Sequence, residues 1–145
     1  MKNISIRNLL LLMLWITLTI WVVTRTPSRT VAEGKLETMV LDLDFMFKNG
    51  TVLSKHENDK TGAALTLYNV DASTWGEKKA VMLKDSLAAK GWIPVEENSR
   101  VYVICKNEMK ALISRAAEKV SVKGSEKDIY SVSMEFNAET RDFCG

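Results

Sequence analysis

The sequence predicts an α+β fold in which a single transmembrane helix precedes one small domain. Three observations predict it. Residues 8–24 contain no charged side chain, residues 129–137 alternate apolar and polar side chains as a half-buried strand does, and residues 107–120 carry apolar side chains at helical spacing. The expected domain is a mostly antiparallel sheet of four strands, or five, with two or three helices packed on one face.

The N-terminal segment divides into a short basic tail, residues 1–7, and the uncharged run, residues 8–24. Seventeen helical residues span about 25 Å, short but workable for a hydrocarbon core about 30 Å thick. Trp15 and Trp21 lie in the outer half of the run, where indole rings favour the membrane interface. Pro27 follows where a signal peptidase needs small neutral residues, so we expect an uncleaved signal-anchor. A cleaved signal peptide is the alternative.

The two cysteines, Cys105 and Cys144, are consistent with an exported domain. A disulfide between them would close a loop of about 40 residues and stabilise the domain by about 4 kcal/mol in the chain-entropy model. Two unpaired thiols are the alternative. Because a short basic N-terminus usually stays in the cytoplasm, we expect a single-pass protein of the inner (plasma) membrane whose C-terminal domain lies in the periplasm or another extracytoplasmic space.

The charge changes sign along the chain. Residues 1–29 hold four of the 20 basic side chains and none of the 18 acidic ones, which leaves residues 30–145 with a net charge of about −2. A nucleic-acid-binding domain would carry a basic face instead. We therefore expect no nucleic-acid partner.

The first part of the domain allows two interpretations. Residues 25–34 read as a polar linker, which places the start of the exported domain at residue 35 and its end at 145. Residues 36–48 fit both an alternating strand and a helical stripe, and their length and composition slightly favour a helix. Asn49-Gly50 fits either a hairpin turn or a helix C-cap.

The next elements have clearer signals. Residues 51–56 and 63–70 read as two strands joined by the polar turn at residues 57–62. A helix then starts at an apparent capping box, Thr74 to Glu77, and stops at Gly91.

The last elements are a strand, a helix and a strand. Residues 100–106 are apolar on both faces, as in a central strand. Residues 107–120 are predicted to be helical, ending at Lys123-Gly124-Ser125. The helical stripe would be formed by Met109, Leu112, Ile113, Ala116 and Val120. Residues 129–137 form the final predicted strand.

Few residues suggest chemistry. His56 is the one histidine, on the shoulder of a predicted turn, where a solvated side chain is the common case. Asp42 and Asp44 would face the same side if they lay on a strand, as a cation site or a carboxylate pair needs, but the solvent face of an amphipathic element is favoured. The sequence therefore predicts no catalytic residue, no cofactor and no metal site.

Two aromatic residues are the candidates for partner binding. Trp75 lies at the start of the predicted helix and Trp92 just beyond its end. Large aromatic side chains dominate interface energies, although closing the ends of the core is the more common role.

Three classes of function remain. The first is a non-enzymatic envelope protein whose exported domain binds another protein as an accessory subunit of a membrane assembly. The alternative is a membrane-tethered inhibitor or immunity protein that neutralises a toxin or lytic enzyme at the outer face of the inner membrane. An enzyme is the least favoured, because only His56 or the Asp42/Asp44 pair could serve it.

Overall fold

The structure is a computed structural model that describes residues 6–25, 27–47, 52–122 and 125–145, without the side chains of residues 23–25 and 122. Its elements, in chain order, are α1 Ile6–Arg25, α2 Arg29–Phe47, β1 Val52–Lys60, β2 Ala63–Asp71, α3 Glu77–Ala89, β3 Ile93–Glu97, β4 Val101–Lys106, β5 Met109–Ser114, β6 Glu118–Val122, β7 Ser125–Phe136 and α4 Ala138–Cys144.

The strands form one antiparallel sheet, which confirms the predicted α+β class. The strand order is β1-β2-β7-β5-β4-β3. Ile129 of β7 pairs with Asp71 of β2 on one side and with Glu118 of β6 on the other. Strands β5 and β6 therefore lie end to end along the same edge of β7. With seven strands in the described residues, the sheet is larger than the four or five strands predicted.

The predicted helix over residues 107–120 is wrong, and this error accounts for two of the three missing strands, β5 and β6. The third, β3, is not among the predicted elements. Asn107 and Glu108 have φ values of 47° and 66°, the left-handed pair that a two-residue hairpin turn needs. The turn joins Lys106 to Met109, which pair across β4 and β5. Met109 and Ile113 share a face in a helix and also in a strand, because a separation of four residues fits both periods. The predicted stop, Lys123-Gly124, lies outside the described residues.

Residues 36–47 are helical, as the sequence slightly favours for the segment 36–48, and the helix begins earlier than predicted; residue 48 lies outside the described residues. α2 begins at Arg29, so most of the predicted linker, residues 25–34, is helical too. The Val31 N–H donates a hydrogen bond to the Ser28 hydroxyl at 3.3 Å, which satisfies a free amide of the first turn. Only residues 26–28 separate α1 from α2. The predicted turn or cap at Asn49-Gly50 lies outside the described residues.

The predicted capping box at the start of α3 is also wrong. The helix begins at Glu77, its N-cap residue is Gly76, and no side chain caps it. The Thr74 hydroxyl instead donates to the carbonyl oxygen of Asp71 at 3.0 Å. The Thr74 side chain therefore forms its hydrogen bond within the turn before α3 and does not cap the helix. A capping box does occur at α4, where the Asn137 and Thr140 side chains each bond the other's backbone N–H.

The strand pair predicted at residues 51–56 and 63–70 is confirmed from Val52 onward, with longer strands than predicted. Lys60 pairs directly with Ala63, so the predicted six-residue turn shrinks to Thr61 and Gly62. Gly62 has a φ of 84°, a conformation that side chains disfavour. Near this turn, Asp59 lies 3.3 Å from Arg29, the first residue of α2.

The core lies between one face of the sheet and the helices α2 and α3. The buried side chains are Met39, Leu43 and Phe47 of α2, Ala80, Leu83 and Leu87 of α3, and Tyr68, Ile104, Ile113, Val132, Met134 and Phe136 of the sheet. The fourth helix, α4, is tied to Cys105. Since neighbouring strand residues point to opposite faces and Ile104 faces the core, α4 lies at the other face.

Helix α1 does not join this core. Its large apolar side chains from Ile6 to Val22 are all exposed. Among the residues that the structure describes, no helix reaches the length and hydropathy needed to cross a membrane.

The strand assignment of β5 predicts that Ile113 and Leu112 differ in importance. Ile113 is fully buried in the core, whereas Leu112 lies half-buried on the opposite face. We expect Ile113→Ala to lower the unfolding free energy by about 2–5 kcal/mol, and Leu112→Ala to cost clearly less. Denaturant titration of both variants measures this. Equal costs would contradict the strand and favour a helix with both residues in the core.

Candidate functional site

One face of the sheet carries no layer of helices over most of its area, and we call it the open face. A row of paired residues crosses it through six strands. Its members, from β1 to β3, are His56, Leu67, Ser133, Leu112, Val103 and Glu96. The centre of the row is apolar or small, and its two ends are polar.

The apolar side chains of the open face are partly buried from solvent by neighbouring side chains of the same sheet. Leu65, Leu67 and Leu112 are half-buried, and Val103 is 5% exposed. Ser131 and Ser133 lie between the leucines on β7. A smooth surface of leucine and serine side chains suits contact with another macromolecule better than chemistry.

Helix α4 covers only one end of the open face. The predicted pairing of Cys105 with Cys144 is confirmed: the two form a disulfide with Cα atoms 5.4 Å apart. Arg141 of α4 lies 3.4 Å from Glu108 in the β4–β5 turn. The bridge and this ion pair hold α4 at the end of the sheet nearest the start of α2.

Asp42 lies at the centre of a polar cluster between α2 and the sheet. Its carboxylate accepts hydrogen bonds from Trp92 Nε1 at 2.9 Å and Lys106 Nζ at 2.8 Å, and Lys90 Nζ lies 3.4 Å away. Burial raises the pKa of this carboxyl, but the two hydrogen bonds and the two cations together lower it below its ordinary value of 3.8. Asp42 is therefore an ionised carboxylate that joins α2 to β4 and to the end of α3.

Asp44 belongs to a second cluster, on the other side of α2. Its carboxylate accepts a hydrogen bond from the Tyr68 hydroxyl at 2.7 Å and lies 3.2 Å from Lys55 Nζ. Burial is the main reason that the pKa of Tyr68 rises to about 12; the hydrogen bond to Asp44 raises it further, whereas Lys55 lowers it. Lys55 also pairs with Glu57 at 2.7 Å. Because two helical positions two residues apart point in different directions, Asp42 and Asp44 do not form a carboxylate pair.

Sequence reasoning missed the basic partners of these clusters. Lys106 follows Tyr102 and Ile104 at alternating positions of β4, so it lies on the core side of the strand. A lysine on that side needs a nearby acid, and the pattern was present in the sequence. Lys55, on an edge strand rich in charges, gave no such signal.

His56 lies exposed on β1 at one end of the open-face row. In the part of the chain that the structure describes, no three His, Cys, Asp or Glu side chains come together as metal ligands would. Asp42 and Asp44 are bonded in separate clusters, to Trp92 and to Tyr68 respectively.

Trp75 and Trp92 lie inside the domain, with exposures of 7% and 1%. Trp75 stacks on Phe47, which in turn stacks on Tyr68, with ring centroids 5.4 and 4.8 Å apart. Trp92 is held by its bond to Asp42. Both close the ends of the core, and burial leaves little of either indole for a partner to contact.

The Asp42 cluster predicts acid-sensitive stability. Because the pKa of Asp42 is lower in the folded protein, the stabilisation it gives is complete above its unfolded pKa of about 3.8 and is lost as the pH falls through the folded value. Asp42→Asn should cost about 1–3 kcal/mol at neutral pH and should flatten the stability profile below about pH 4. The measurement is urea unfolding at several pH values.

Asp85→Asn is the matched control, because Asp85 is exposed on α3. This control should change neither the stability nor its pH profile. An Asp42→Asn protein that loses stability in acid as steeply as the parent would contradict the role given to the cluster.

The disulfide predicts a large loss of stability on removal. Replacing Cys105 and Cys144 together by serine should lower the unfolding free energy by up to about 4 kcal/mol, because the unfolded chain gains conformational freedom. A peptide map without reductant should show the two cysteine peptides linked. Free thiols in the natively folded protein, or an unchanged unfolding midpoint in the double variant, would contradict the bridge.

Comparison with known proteins assigns the chain to no family. The chain shows no significant match to a protein-family model, to a curated protein or to a solved structure. Its function therefore has to be argued from its own surfaces.

Proposed function

We propose that this chain is a membrane-anchored, non-enzymatic envelope protein whose domain binds another protein through the open face. In this proposal α1, with the uncharged run of residues 8–24, is the anchor, and residues 35–145 with the start of α2 form an exported domain. The partner is a component of a membrane assembly, of which this chain is an accessory subunit.

The observation that carries the binding role is the open face itself. Helices α2 and α3 cover one side of a seven-stranded sheet, while the other side presents Leu65, Leu67 and Leu112 without a second layer. A sheet normally buries its apolar face against another layer. A partner protein that packs on these leucines would supply the missing layer.

The properties of α1 support the anchor. Its apolar side chains face outward all around the helix, with Leu14 64% exposed and Trp15 68% exposed. The hydroxyls of Thr17 and Thr19 donate to the backbone carbonyls of Leu14 and Trp15 at 2.9 and 2.7 Å. Polar groups in lipid need such internal partners. The disulfide supports an oxidising compartment for the domain.

The short connection between α1 and α2 supports an assembly subunit. Residues 26–28 span at most about 10 Å, and α2 enters the core at once, since Ala32 is fully buried. The domain would therefore stay at the membrane surface. A domain held so close is well placed to bind proteins of the same membrane.

We expect single charges on the open face to abolish partner binding. Leu67→Arg and Leu112→Arg should each remove the partner that full-length protein captures from crosslinked native membranes, because arginine places an unpaired charge in the interface. Met82→Arg is the matched control, since Met82 is exposed on the outer side of α3. Partner recovery is measured by quantitative mass spectrometry.

Capture that survives both open-face substitutions would contradict this interface. A second form of the protein, starting at Pro27, separates the two binding functions. An assembly subunit should need its anchor, whereas an inhibitor or immunity protein should neutralise an added toxin or lytic enzyme without α1. Full protection by the form without α1 would overturn the assembly role.

A further inference from the structure

Strand β6 has one paired edge and one free edge. β7 pairs with it from Glu118 to Val122, and no strand in the described part of the chain pairs with its other edge. Beside β5 that position is filled by β4, which begins only at Val101, opposite Ser114. The sheet therefore has a step beside β6. The N–H and C=O groups of such an edge can bind an additional strand.

A recess lies between the start of β4 and the start of β6. Its volume is about 310 Å³, and its lining consists of Arg100, Val101, Ala116, Ala117 and Glu118. Three of these residues are small or medium-sized and apolar. A strand added beside β6 could place one apolar side chain in the recess.

The chain at Arg100 limits how far an added strand can extend. The Arg100 carbonyl accepts a hydrogen bond from the Arg115 N–H at 2.7 Å. The Arg100 N–H donates to Asn98 Oδ1 at 2.9 Å. These bonds fix the turn before β4 across the path of the added strand. The strand must therefore end at this point, or leave the sheet.

Orientation and charge indicate which end of the strand lies there. Every pair in this sheet is antiparallel, and a strand antiparallel to β6 runs in the direction of β4, so its C-terminal end meets Arg100. The Arg100 side chain is exposed and forms no ion pair with the described residues. A guanidinium binds a carboxylate through two parallel hydrogen bonds. Glu118, on the lining of the same recess, disfavours a second acidic group.

We propose that the free edge of β6 binds the C-terminal tail of a partner protein as an added antiparallel strand. The terminal carboxylate pairs with Arg100, and an apolar side chain near the end of the tail fills the recess. The inference rests on the proposed function, because it takes the occupant to be a protein. The tail would be a second contact with the partner, in addition to the open face. β6 lies about 25 Å from the membrane-proximal end, since β2 runs the length between Ala63 and Asp71.

The experiment uses full-length protein in lipid nanodiscs and a library of random peptides displayed with free C-termini. Selected sequences are then synthesised with a C-terminal carboxylate or a C-terminal amide. We expect the carboxylate form to bind roughly tenfold more tightly by fluorescence anisotropy. Arg100→Gln should remove this difference and Arg100→Lys should retain most of it. Lys60→Gln, an exposed position at the other end of the sheet, is the matched control.

Hydrogen exchange supplies the test of strand addition. When the peptide binds, exchange should slow at the alternate β6 amides that face away from β7. The proposal is overturned if no peptide is selected, if carboxylate and amide bind equally, or if protection falls on other strands. Self-association of the protein with the same protection would identify a second copy as the occupant and would also overturn it.

These outcomes are separable from those of the proposed function. If Leu67→Arg abolishes capture of the membrane partner while the library yields no tail that needs Arg100, the open face is the interface and the tail site is wrong. If the library yields tails that need Arg100 while the open-face variants keep their partner, the tail site is the interface and the open face is not.

Discussion

The structure depends on the attachment of helix α2 to one face of the sheet. Met39, Leu43 and Phe47 enter the core from this helix, and the carboxylates of Asp42 and Asp44 hold its two flanks. Because α2 packs on one face of the sheet, the opposite face has no layer of helices over most of its area. The attachment of α2 also fixes the start of the domain three residues after α1. The uncovered face of the sheet and the position of the domain next to α1 therefore both follow from where α2 lies.

The polar clusters explain why α2 is held in one position rather than merely buried. Apolar contacts alone tolerate sliding of a helix along a sheet, whereas a carboxylate bonded to Trp92 and Lys106 accepts only one register. The stack of Phe47, Tyr68 and Trp75 adds a second geometric restraint at the end of the helix. Stability and specificity are thus supplied by neighbouring residues on the same helix turns.

Sequence patterns predicted the fold class, the antiparallel sheet and the disulfide, and they slightly favoured the helix that α2 forms over residues 36–47. They failed at residues 107–120, where Met109 and Ile113 satisfy the helical and the strand period equally and the left-handed turn at Asn107-Glu108 carries no glycine. The spacing of Asp42 and Asp44 did not by itself show that they point in different directions, because that follows only once the segment is known to be a helix. The open face could not be predicted, because alternating side chains such as those of residues 64–68 and 130–134 show a strand without showing which face is covered.

The attachment of α2 has a mechanical consequence. In the proposed arrangement, a pull between the membrane and a molecule bound to the sheet would enter the domain at Arg29 and would load α2 in shear against the sheet. Shear engages many contacts at once, so the two carboxylate clusters and the buried stripe would resist together. The disulfide closes residues 105–144 into a covalent ring, and the strands within that ring could not be drawn out as an extended chain. Tension applied from the N-terminal end of the domain would therefore be shared among many contacts.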